Sequence, residues 1–369
     1  MPIFMDLHIV PGVTPKEVAD AHSMDVKIQH EFRCRTMTYW IDEDKGCVFC
    51  LIEAPDKESV RELHQNAHGL IPNEIIQVDS NVVEAFLGRI SDPETFQELS
   101  EPDHLKVFND PASRVIMVTK TIDARLLQYK LGKEKTQALL LIYNNCIREQ
   151  IRNHEGSEVE LKEEGFIISF ASATQAVKCS LAIHKRLPAV AELIGLRIGL
   201  HAGVPVNKNN VIFGATVNLA KYLCNIGKDN QIVISAAVRK LYKDHDSMLT
   251  ANKENIRWLT SPEENFLDIL INTLHENWQD PQFGVTDFCS IMSTSKPQLY
   301  RKSKATTGMS PNELLREYRL LQALDVLRNE DRNISQTTFD TGFSSPSYFT
   351  KCFLKRFGLQ PLAYLKAAI

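Results

Sequence analysis

The chain of 369 residues contains no apolar run near the roughly 20 residues that a helix needs to cross a bilayer. Its start, Met1-Pro2-Ile3-Phe4-Met5-Asp6, lacks the basic opening of a secretory signal. Its eight cysteines are not clustered but stand at 34, 47, 50, 146, 179, 224, 289 and 352. These absences argue against a membrane protein and against a disulfide framework, and predict reduced thiols in the cytoplasm. Neither sign of charge is in large excess, the formal net charge being −4. The balance is uneven, however. Residues 1–80 hold 7 Lys and Arg against 14 Asp and Glu, whereas residues 280–369 hold 12 against 8. The acidic end is a poor surface for a polyanion and a reasonable one for a cation; the basic end is the reverse.

In residues 1–80 the alternation of Ile3–Ile9 predicts a strand, and Pro11-Gly12 a turn. Thr14 caps a helix running to about Phe32. Thr36–Ile41 and Cys47–Glu53 form a hairpin about Asp42–Gly46, Asp56 starts a helix that stops at Gly69, and Glu74–Val78 is a last strand. The order βαββαβ is the ferredoxin-like arrangement. The segment holds His8, His22, His30, His64 and His68, five of the chain's eleven histidines. His64 and His68, four apart on one helix, can reach one ion. His22 and Asp25 are three apart on the first helix. Asp6 and His8 share a strand face, as Val48 and Cys50 do on another strand. Cys47 and Cys50 look like a metal clip, but three apart on a strand they point to opposite faces, so that pair is rejected.

Any one of these histidines alone reads as ordinary. The set His8, His22, Asp25, Cys50, His64 and His68 points to a divalent transition metal: imidazole with one thiolate suits nickel, zinc or copper, and spacing does not choose. Pro11-Gly12-Val13-Thr14, Ala21-His22, Thr38-Tyr39-Trp40, Phe49 to Pro55 and His64 to Pro72 give the segment a resemblance to a small family of ferredoxin-like nickel-binding proteins from bacteria. That resemblance implies nickel as the first metal to test and makes a homodimer a reasonable expectation.

Residues 81–110 read as a polar linker with a short helix. Beyond it a strand is expected over Arg114–Thr121, one helix to about Asn153, a hairpin from Val159–Leu161 and Phe166–Phe170, and an amphipathic stretch from Ser172 to Ala191. A strand at Leu196–Val204, a helix at Ala215–Cys224 and a strand at Ile232–Ile234 complete it. Gly165 to Phe170, Ala173 to Val177, Arg197 to Gly203, Phe213-Gly214 and Val217 to Ala220 make residues 111–260 resemble the class III nucleotidyl cyclase homology domain. The resemblance implies two metal-holding aspartates. Lys120 stands where the first would end its strand, and Glu163-Glu164-Gly165 replaces the turn that would carry the second. Asn218 is kept, but Tyr222 stands where a transition-state arginine would lie. A lysine repels the ion it would have to bind, so the expectation is a non-catalytic domain that pairs subunits or senses a small-molecule effector.

Two similar units occupy residues 261–369. A short helix over Val285–Met292 leads through Ser295 into a second one that Gly308 ends; a long helix runs from Ser310-Pro311 to about Asn329. Gly342-Phe343 and a serine cap then open a helix that Gly358 ends. On it Tyr348, Phe349, Cys352, Phe353 and Phe357 recur at helical spacing and read as its buried face. A short helix on a tight turn, with a polar and basic outer face, is what a major groove accepts. Leu299-Tyr300-Arg301, Gly308 to Pro311, the Leu-rich helix to Leu327 and Gly342 through Pro361 make the segment resemble the DNA-binding domain of AraC/XylS-type transcription regulators. Thr337-Thr338 depart from the Ile-Ala usual there, setting two hydroxyls at packing positions. Candidate DNA contacts are Lys296, Gln298, Leu299, Arg301, Lys302 and Lys304 in the first unit and Ser345, Ser347, Tyr348, Thr350, Lys351 and Lys355 in the second. Lys302, Lys304 and Lys355 suit phosphates.

The expected architecture is therefore α+β and multidomain: a ferredoxin-like βαββαβ unit, a cyclase-like α/β sandwich and an all-α double helix-turn-helix. The expected function is a bacterial AraC-type regulator of transcription that responds to a metal and binds double-stranded DNA. A cyclase with a DNA-binding tail and a metal buffer are the rival readings.

Overall fold

The computed structural model describes residues 1–93, 97–98, 106–162, 165–206, 210–243, 255–329 and 332–367. The first unit is β1 (Ile3–Ile9), α1 (Pro15–Ile28), β2 (Arg35–Asp42), β3 (Cys47–Glu53), α2 (Lys57–Ala67) and β4 (Glu74–Val78), with its strands in the antiparallel order β2-β3-β1-β4. Thr14 and Glu17 form a reciprocal capping box that starts α1, and Asp56 caps α2 through Ser59 N at 2.9 Å. A 3-10 turn, Gln29–Phe32, continues α1 to the expected limit. The strands alternate as a sheet covered on both sides must. Phe4, Val48, Cys50 and Ile52 face α1 and α2, while Met5, Leu7, Phe49 and Leu51 face the rest of the molecule.

Residues 81–110 are more than a polar spacer. Helix α3 (Ser80–Leu87) buries Val83, Phe86 and Leu87 in one core with Met5, Trp40 and Phe49 of the first sheet and Ile116, Val118 and Ile167 of the next domain. The Arg114 guanidinium donates to Phe86 O at 3.1 Å and Leu87 O at 3.0 Å, placing a cation on the last carbonyls of α3. A two-stranded ladder, β5 (Gln97–Glu98) with β6 (Lys106–Val107), follows.

The middle domain is a six-stranded sheet in the order β12-β11-β10-β7-β9-β8. Its strands are β7 (Arg114–Lys120), β8 (Ser157–Lys162), β9 (Gly165–Phe170), β10 (Arg197–Gly203), β11 (Ile232–Ile234) and β12 (Ile256–Trp258). Two expected helices are each broken. Gly132, at φ +83°, separates α4 (Ala124–Leu131) from α5 (Lys133–Asn153). Pro188 separates α6 (Ala173–Arg186) from α7 (Pro188–Ile194), because the residue before a proline leaves the helical region. Helices α8 (Gly214–Ile226) and α9 (Ala236–Leu241) complete it.

The C-terminal domain is helical: α10 (Ser261–Asn277), α11 (Val285–Ile291), α12 (Lys296–Thr307), α13 (Pro311–Asn329), α14 (Ile334–Asp340), α15 (Pro346–Phe357) and α16 (Pro361–Lys366). Its contacts with the middle domain include two groups among the described residues. Leu219, Tyr222 and Leu223 of α8 share a core with Phe266 and Leu270 of α10 and with Leu299 and Leu314. Near the other end, Asp123 accepts from Arg328 Nη1 at 3.2 Å and Tyr364 Oη at 2.9 Å, and Arg125 lies over the Tyr364 ring. Among the described residues no helix is long and apolar enough to cross a membrane.

Candidate metal centre and nucleic-acid interface

The metal-ligand candidates meet between the first sheet and its two helices. Antiparallel pairing of β1 with β3 brings Asp6 beside Cys50, whose backbone N donates to Asp6 Oδ1 at 3.2 Å. Helix α2 lowers His64 onto that strand face, where its Nε2 lies 2.9 Å from Asp6 Oδ2. The opposite ring nitrogen, Nδ1, lies 3.2 Å from Asp25 Oδ1 on α1 and 3.0 Å from His68 Nε2. Two donor groups result: Asp6, His8, Cys50 and His64 in one, Asp25, His64 and His68 in the other, with all ligand atoms of each group within 4.8 Å of one another.

Five of the six expected residues are thus brought together. His22 is not: its Nε2 lies 3.7 Å from Asp92 Oδ1 and its ring meets Tyr39 edge-on. It lines the same cavity of about 260 Å³, with His8, Asp25, Cys50 and His68, but belongs to neither group. The donor that the sequence set omitted is Asp6. Its sharing of a strand face with His8 was the available signal; that this face lies under His64 follows only from the packing of α2.

The electrostatics suit a cation. Burial alone would raise the Asp6 carboxyl, but His64 and His8 beside it hold it far below the usual carboxylate range. Burial would likewise lower the His64 imidazole, yet Asp6 and Asp25 on its two sides hold its pKa up at about 10. The Cys50 thiol is pushed well above its ordinary value by burial and by those two carboxylates. Without an ion, the protonated His64 ring lies between two buried carboxylates and offsets one of their two charges. His8 Nε2, buried and 3.4 Å from Asp6 Oδ1, makes no hydrogen bond. A buried polar atom without a partner, inside a set of nitrogen, sulfur and carboxylate donors, fits a transition metal better than calcium or magnesium, which take oxygen ligands.

In the middle domain Lys120, Asn218 and Tyr222 line a cavity of about 450 Å³ facing α10 and α13. Lys120 ends β7, Asn218 and Tyr222 lie on α8, and the buried Tyr222 hydroxyl has no hydrogen-bond partner. Glu163-Glu164 lies outside the described residues.

The two C-terminal units are built alike. Ser295 and Ser345 cap α12 and α15, each accepting from the backbone N three residues on at 3.4 Å, and Gly308 and Gly358 end them in left-handed conformations. Lys296, Gln298, Arg301, Lys302 and Lys304 are exposed on α12; Ser347, Tyr348, Lys351 and Lys355 are exposed on α15, with Ser345 and Thr350 half-buried. Lys304 is paired with Glu313 at 3.0 Å. Leu299 corrects the expected contact set: it is fully buried in the core against α10, so its side chain holds α12 in place and does not meet a duplex. Tyr348, expected on the buried face by its spacing, is 48 % exposed, while Phe349, Phe353 and Phe357 form that face. Thr337 and Thr338 are buried, and each hydroxyl donates to the carbonyl four residues back, Asn333 O at 3.0 Å and Ile334 O at 2.7 Å. Their polarity is thereby satisfied within α14.

Comparison with known proteins finds family matches at both ends of the chain. Residues 4–78 match the family model "Nickel responsive protein SCO4226-like", and residues 288–367 match "Helix-turn-helix domain". SCO4226 from Streptomyces coelicolor A3(2) is 31 % identical over 21 % of this chain and 94 % of its own, with a TM-score of 0.20. The HTH-type transcriptional activator RhaR of Pectobacterium atrosepticum is 35 % identical over 98 residues, 27 % of this chain and 34 % of its own length. The guanylyl cyclase Cya2 is 21 % identical over 36 % of this chain and 79 % of its own, with a TM-score of 0.31. The chain spans 8 % to 34 % of the length of the first curated relatives it matches.

Proposed function

With an SCO4226-like domain at residues 4–78 and an AraC-type helix-turn-helix domain at residues 288–367, we propose that this chain is a bacterial cytoplasmic transcription regulator whose DNA binding responds to a transition metal, nickel first. The observation that carries the reading is the buried donor cluster on a chain that also presents two exposed, basic reading helices. Asp6, His8, Cys50, His64, Asp25 and His68 would hold the metal, which supplies positive charge between the two buried carboxylates in place of the His64 proton.

At the other end, α12 and α15 enter successive major grooves of one duplex, about one helical turn apart. Gln298, Arg301, Ser347, Tyr348 and Thr350 face the base edges. Lys296, Lys302, Lys304, Lys351 and Lys355 meet phosphates, which position without specifying. The middle domain is non-catalytic in this reading, Lys120 and Tyr222 standing against metal-assisted turnover, and it pairs two subunits as a homodimer or takes a small-molecule effector. The first sheet packs on α3 and on the middle domain, which holds the reading units through α8 and Asp123. A metal acts through that continuity only by binding one arrangement more tightly than another.

The test is binding of the purified chain to genomic fragments at fixed salt, with and without nickel. A nickel-dependent change in affinity is expected. DNA affinity that is the same at every metal occupancy would contradict a metal-responsive regulator and favour the buffer reading.

A further inference from the structure

We propose that the cluster holds two metal ions bridged by the His64 imidazolate, a reading that rests on the metal site proposed above and adds its nuclearity. The starting observation is that the two nitrogens of this one ring face different donors. Nε2 is turned to Asp6 at 2.9 Å, in the group with His8 and Cys50. Nδ1 is turned to Asp25 at 3.2 Å and His68 at 3.0 Å. Neither carboxylate serves both groups, and His64 alone is common to them.

A single ion would use one of these nitrogens and leave the donors on the other side of the ring idle. Those donors are buried or nearly so, where an unused ligand atom is costly. Two ions use every donor. The first group has four ligand atoms, the number a tetrahedrally coordinated ion takes. The second has three, and Asp25 and His68 also line the cavity of about 260 Å³, where water or a small ligand completes the shell.

Charge gives a second argument. Asp6, Asp25, the Cys50 thiolate and the His64 imidazolate carry four negative charges, which offset two divalent ions and leave the buried site neutral. The chemistry balances simply. His64 starts protonated on both nitrogens and Cys50 as the thiol; one His64 proton and the thiol proton leave to solvent as the first ion binds, and the second His64 proton leaves as the second ion takes the other nitrogen. No oxidant or reductant is involved.

The experiment uses the full chain and copper(II), whose unpaired electron reports on its neighbour. Metal content after equilibrium dialysis and the electron paramagnetic resonance signal are followed together through a titration. One equivalent is expected to give an ordinary single-copper signal. A second equivalent is expected to bind and reduce that signal through magnetic coupling. His68→Ala should retain one strongly held ion and no coupling; His64→Ala should abolish coupling whatever its copper content. Saturation at one ion, or two ions without coupling, would overturn the bridge and leave the single-metal reading standing. No copper or nickel bound at the cluster would overturn both.

Discussion

Removing the Asp123 carboxylate tests how firmly the reading units are tied to the rest of the chain. Asp123 is buried, caps α4 through Arg125 N at 2.9 Å and Leu126 N at 3.1 Å, and receives Arg328 at 3.2 Å and Tyr364 at 2.9 Å. In Asp123→Ala the cap is lost, at about 1 kcal/mol. The Arg328 guanidinium, whose side chain is 10 % exposed, keeps Asp325 but loses its buried partner. Breaking a buried pair from one side costs about 3–5 kcal/mol. The remaining Asp325 partner places the expected total toward the lower end, about 3 kcal/mol. Because the chain has several domains, a single unfolding midpoint would blur this. Hydrogen exchange of α13's last turns and of α16 reads the contact directly. At 1.4 kcal/mol per tenfold, protection there should fall about 100-fold while the first sheet is unchanged. Asp123→Asn keeps the cap acceptor and should lose less. Unchanged protection of α16 in Asp123→Ala would refute the idea that this carboxylate ties the second unit to the middle domain.

Three further outcomes are expected. In the metal-free chain, His64 has its pKa raised from 6.5 to about 10, so its pairing with Asp6 and Asp25 stabilises fully below about pH 6.5 and is lost as pH rises through 10; thermal melting of the first domain should fall across that window, and His64→Ala should flatten the profile. Leu299→Ala should cost about 2–5 kcal/mol of C-terminal domain stability by opening a cavity, whereas Arg301→Ala at an exposed site should leave stability within about 0.5 kcal/mol and weaken DNA binding; denaturation of both variants separates packing from reading. Lys355→Ala should weaken binding to all sequences alike and reduce the salt slope by about 1, and a loss confined to particular sequences would assign Lys355 to base reading instead.

What could be read from the chain depended on where the governing contacts lie. The βαββαβ order and the paired serine-capped helices rest on local signals: Thr14 with Glu17, Asp56 with Ser59, Ser295 and Ser345 before helical spacing, and Gly308 and Gly358 after it. The four-residue spacing of His64 and His68, the three-residue spacing of His22 and Asp25 and the shared strand faces named five of the candidate donors that packing brings together. Asp6 was passed over because a buried aspartate gains its role from α2, 58 residues away, and spacing along β1 does not report that. Residues 81–110 read as a spacer because the buried side chains of α3, Val83, Phe86 and Leu87, matter only once two domains close on them. Leu299 lies between exposed Gln298 and Tyr300, and a contact list drawn from a motif took in a side chain that holds the helix down. Tyr348 shows the converse: it fits the apolar spacing of α15 yet lies at the edge of that face.

Coupling between the metal and the DNA is the central claim, and linkage makes it measurable from either end. The direct measurement is the nickel dissociation constant of the full chain, free and saturated with a selected DNA fragment. The account predicts two different values, whose ratio equals the ratio of DNA affinities measured with and without nickel. Equal nickel affinities in the free and DNA-bound chain would contradict it.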